Sequence, residues 1–162
     1  MKATSLFPNR LKPFAWVIFI LSLIFGILYI TECIGEPKFL DVKVLALFND
    51  AVFSLGEGDN FQWIITNNIA DELIGIGLIV SGMILGFAKT KIEDEYIAYL
   101  RVKSLTWSFF LNYGILFFAL IFVFGLSFFN VMLVSMFLSL VLFVLLFHYK
   151  LYQLNKRNKF EK

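Results

Sequence analysis

Between residues 104 and 149 the chain runs 46 positions without one Asp, Glu, Lys or Arg. As a single helix this run would be about 69 Å long, more than twice the roughly 30 Å of a bilayer's hydrocarbon core. It therefore holds two spans, and Gly125, Ser127 and Asn130 mark the place to turn. The composition agrees, with 60% hydrophobic, 19% aromatic and 16% charged residues. A soluble chain of 162 residues has no way to hide that much apolar surface.

Two more spans precede this run. Residues 13–31 are uncharged and follow a basic start carrying Lys2, Arg10 and Lys12. The stretch is too long for a signal-peptide core and no A-x-A site follows, so a retained helix over about 13–34 is expected. A second helix is expected over 69–88. Its uncharged part, 73–88, reaches only about 24 Å, which puts Asp71 and Glu72 at the hydrocarbon edge or inside the bundle. The remaining spans are placed at 105–127 and 131–149. The expected fold is all-α, an integral membrane four-helix bundle forming one domain over 1–162.

The loops carry the orientation. Lys and Arg number three before the first span, two in the 35–68 loop, four in the 89–104 segment, none in the third loop and five in the tail. Cations favour the cytoplasmic side, so both termini and the 89–104 segment are expected there. In the outer loop, Leu40, Val44, Leu47, Phe48, Ala51 and Leu55 recur at helical spacing. They predict an amphipathic helix over 39–55, lying in the interface or capping the bundle. Thr90-x-x-Glu93 has the form of a capping box and predicts that helix 3 starts near Ile92, projecting into the cytoplasm.

Several polar residues fall where they need an explanation. Asp94, Arg101, Ser108 and Asn112 share one face of helix 3 and form a polar stripe entering the bilayer. Arg101 either holds a carboxylate or reaches anionic headgroups. Asp71 and Glu72 are either functional membrane-edge acids or the first turn of helix 2, with Asn68 as its cap. Gly75, Gly82 and Gly86 lie on one face of helix 2 and predict close helix packing.

The combination IADELIGIGLIVSG and KIEDEYIAYLRVKSLTWSFFLNY, within residues 69–113, resembles a family of small bacterial integral membrane proteins with four predicted transmembrane helices. That family carries no assigned activity. The resemblance implies architecture and a bacterial inner-membrane location, and names no catalytic residue.

Chemistry is limited by what the chain lacks. One cysteine, Cys33, excludes a redox pair within the chain, and one histidine, His148, excludes bis-histidine haem ligation or a His-rich zinc site. There is no Gly-rich phosphate loop and no overall basic excess of the kind nucleic acid requires. No enzyme activity, cofactor or metal is expected. Two function classes remain. One is a non-catalytic regulatory or partner-binding subunit acting through the cytoplasmic loop. The other is a small transporter or channel subunit using the membrane-edge acids for ions or protons. The candidate partners are the lipid bilayer, a protein at the cytoplasmic loop and a second copy of the chain.

Overall fold

The computed structural model describes residues 7–31, 37, 40–45, 64–90 and 94–160. Four helices dominate: α1 (Lys12–Ile30), α2 (Ala70–Phe87), α3 (Glu95–Phe122) and α4 (Leu126–Phe160). All four are long and apolar enough to cross a membrane. Helix α1 opens with Pro13 in its first turn, where the missing N–H costs nothing. It closes at Thr31, whose hydroxyl donates to the Ile27 carbonyl at 2.9 Å.

The connection between α1 and α2 departs from expectation. Strand β1 (Asp41–Leu45) pairs antiparallel with β2 (Ile64–Asn68), Asp41 opposite Asn68 and Leu45 opposite Ile64. The predicted helix over 39–55 is therefore overturned at its start, and residues 46–55 lie outside the described part. In DVKVL, polar and apolar residues alternate, and both valines are β-branched. Five residues fit this period as well as the helical spacing inferred from a longer window, and pairing with β2 selects the strand.

The α3–α4 connection comes earlier in the chain than expected, at residues 123–125 instead of 128–130. Helix α3 ends at Phe122, and Gly125 takes φ +70°, a left-handed conformation that only glycine adopts without penalty. Ser127 and Asn130 are already inside α4. At the far end α4 does not stop at Lys150. It runs 35 residues to Phe160, about 52 Å, while α3 with 28 residues spans about 42 Å. The segment after Lys150 is charged, but its Leu, Gln, Lys and Arg are good helix formers. Leu151 and Leu154 also pack on buried residues.

Packing is most extensive between α1 and α2 and between α3 and α4, and α2 joins the two pairs through α4. One core cluster gathers Ala15 and Phe19 of α1, Leu78 and Leu85 of α2 and Val144 of α4. A second sets Ile97 of α3 against Phe143 and Phe147 of α4. The glycines of α2 make the α2–α4 contact close. A Cβ on Gly82 would lie 2.7 Å from Leu140 Cδ2, and one on Gly86 would collide with the Phe143 ring. Gly75 faces Phe137 in the same way, at 3.2 Å.

Candidate functional site

Polar groups gather at the two ends of the helix assembly and along one seam between them. At the first end, the N-terminal segment returns to the α2–α3 connection. Phe7 N–H donates to the Phe87 carbonyl at 3.1 Å, and Lys89 N–H donates to the Phe7 carbonyl at 2.9 Å. These bonds engage a carbonyl that the end of α2 would leave without a helical partner.

Arg101 enters the same region from α3. It is 6% exposed, so it does not reach out to headgroups. Its Nη2 donates to the Ala88 carbonyl at 3.4 Å, and the guanidinium carbon lies 5.2 Å from the centre of the Phe147 ring. A cation at the C-terminus of α2 meets the negative end of that helix dipole, and the aromatic face adds a second attraction. The carbonyl and the ring replace headgroups in the expected account of this arginine. Beside Phe147, the His148 ring packs edge-on to Trp16 of α1 at 5.0 Å. Its Nδ1–H donates to the Val144 carbonyl at 2.9 Å. All four helices thus meet around one arginine and one aromatic group.

The α3 stripe divides on inspection. Asp94 is exposed and caps the helix, its Oδ1 accepting from Glu95 N–H at 2.7 Å. It takes the role expected of Thr90, and residues 91–93, including Glu93 of the capping box, lie outside the described part. Arg101, Ser108 and Asn112 are buried, and so is Ser104, which the sequence reading passed over. Its signal was present: 104, 108 and 112 follow one another at four-residue steps. The two serines donate within their own helix, to the carbonyls of Leu100 and Leu105 at 2.7 Å each. Asn112 Oδ1 is buried with no hydrogen-bond partner among the described residues.

At the opposite end, β1 and β2 sit where α1 ends and α2 begins. Asn68 organises this corner. Its amide donates to Asp41 Oδ1 at 2.7 Å and to the Pro37 carbonyl at 2.9 Å, while its Oδ1 accepts from Ala70 N–H at 3.1 Å. Asp71 and Glu72 are exposed in the first turn of α2, where carboxylates are favoured. Glu72 also accepts from the Asn67 amide at 2.9 Å. A polar cavity of about 330 Å³ lies here, lined by Tyr29, Asp41, Thr66, Asn67, Asn68 and Asp71. A second cavity, about 290 Å³ and almost wholly apolar, opens between α1, α2 and α4 with Gly26, Gly75 and Phe137 on its walls. Asp71 borders both. Neither cavity was legible in the sequence, because three separate helices build the second and a strand pair completes the first.

Among the described residues no three His, Cys, Asp or Glu side chains converge as metal ligands would. Cys33 lies outside those residues. The chain matches no family model, no curated protein and no solved structure.

Proposed function

We propose that the chain is a non-catalytic multi-pass protein of a bacterial inner membrane that regulates or binds a partner at its cytoplasmic end. In this reading both termini and the α2–α3 connection face the cytoplasm, the side that the distribution of lysine and arginine favours. The carrying observation is the α3–α4 pair. Helix α4 exceeds a hydrocarbon core of about 30 Å by roughly 22 Å. Ile97 is buried with Leu151 and Leu154 packed against its cluster, so the two helices continue together. Tyr96, Tyr99 and Tyr152 are exposed on this projection. Aromatic side chains bring large contact area to a protein interface at low entropic cost.

The experiment is photo-crosslinking in cells, with the photoreactive residue placed at 99, at 152 or, as a lipid-facing control, at 115. A discrete protein adduct common to 99 and 152 and absent at 115 is expected. Lipid adducts alone at all three positions would overturn the proposal.

The transporter or channel reading draws on buried Asn112, since an unsatisfied polar group is costly in a membrane. Against it, Ser104 and Ser108 are bonded within α3, and the cavity leading from Asp71 is apolar. Proton or cation flux in liposomes holding only this protein would favour that reading.

A further inference from the structure

We propose that the apolar groove between α1, α2 and α4 holds an acyl chain of an ethanolamine phospholipid, whose ammonium group sits in the adjoining polar cavity. This inference is independent of the cytoplasmic-partner reading and concerns the opposite end of the molecule. The groove is open laterally and apolar along nearly all of its length, with Gly26 and Gly75 among the residues that line it. An acyl chain entering from the surrounding leaflet fits such a surface, because it already lies in hydrocarbon and pays little to cross over.

The headgroup is chosen by charge. The polar cavity meets the groove at Asp71 and has Asp41 on its far wall. Among the described residues neither carboxylate has an ion-pair partner, and Asp41 is held in place by the Asn68 amide. Two neighbouring carboxylates, Asp41 held by the Asn68 amide and Asp71 exposed in the first turn of α2, favour an ammonium group and disfavour a headgroup whose only charge is a phosphate. Thr66 adds a hydroxyl on the cavity wall for the remaining polar atoms. Each cavity, near 300 Å³, stands at the lower end of ligand pockets, which suits one headgroup and part of one chain.

The test compares two phospholipids with identical acyl chains, one ethanolamine-headed and one glycerol-headed. Each is titrated into the full-length protein in detergent, with retention read by native mass spectrometry. The ethanolamine lipid should be retained at least tenfold better. Asp71→Asn and Asp41→Asn should each bring that preference to threefold or less, and Glu95→Gln, at the other end, should leave it intact. A large excess of ethanolamine without acyl chains should fail to displace the lipid. Equal retention of the two lipids by the wild-type protein would overturn the proposal. So would an undiminished preference in both aspartate variants, or displacement by free ethanolamine.

Discussion

Gly86→Ala and Gly114→Ala make the same chemical change at two sites that differ in one respect. A Cβ at Gly86 would collide with the Phe143 ring, while one at Gly114 meets nothing within 4 Å. In both helices alanine improves intrinsic propensity, by about 1 kcal/mol in water. That gain is common to the two variants and largely cancels in their difference. What remains is the overlap at Gly86. Phe143 cannot step aside freely, because it is 0% exposed and its ring lies 5.5 Å from Phe87 and 6.2 Å from Phe147. Forcing one extra methyl into a packed core costs about 1–3 kcal/mol. Gly86→Ala should therefore be less stable than Gly114→Ala by that amount, which for a chain of this size is a gap of at least about 2 °C in Tm. The assay is thermal unfolding in one detergent at one protein concentration. A double-mutant cycle localises the effect. Phe143→Leu removes the ring edge that the new methyl meets, so Gly86→Ala should cost at least about 1 kcal/mol less in the Phe143→Leu background. If the two alanine variants melt together, or the cycle shows no coupling, the close α2–α4 contact is not what holds these helices.

Arg101→Ala should destabilise by about 3 kcal/mol, since it removes a charge-assisted bond to Ala88 and the stack on Phe147 together. Arg101→Lys should recover part of this and not all, because an ammonium cannot reproduce a planar group lying over a ring; a lysine variant melting like wild type would refute the assignment. A topology reporter fused after Asn60 should be active only outside the cytoplasm, and one fused after Lys162 only inside. A cytoplasmic signal from the Asn60 fusion would end the proposed orientation.

The long uncharged runs by themselves determined that this chain forms four helices able to cross a membrane. A run of some twenty apolar residues has few stable alternatives to a helix in lipid, since every backbone polar group must be satisfied internally. Glycine signals were legible for a similar reason: Gly75, Gly82 and Gly86 share a face whatever that face meets. Charge was a poorer guide to where helices end. Lys150 reads as the start of a solvated tail, yet α4 passes through it, because helix formation depends on propensity and on the Leu151 and Leu154 contacts. The 41–45 segment shows the limit of periodicity, since five residues fit two periods and only pairing with Ile64–Asn68 chose the strand. What Arg101 meets was also decided in tertiary structure. Two of its contacts, the Ala88 carbonyl just past the end of α2 and the Phe147 ring on α4, lie outside its own helix, and one of them is a backbone carbonyl that looks the same in every sequence. The same holds for the groove that ends at Asp71, whose walls are three helices far apart in the chain. Local pattern sets the elements because their backbone bonds are local; a site assembled from several elements exists only once they pack.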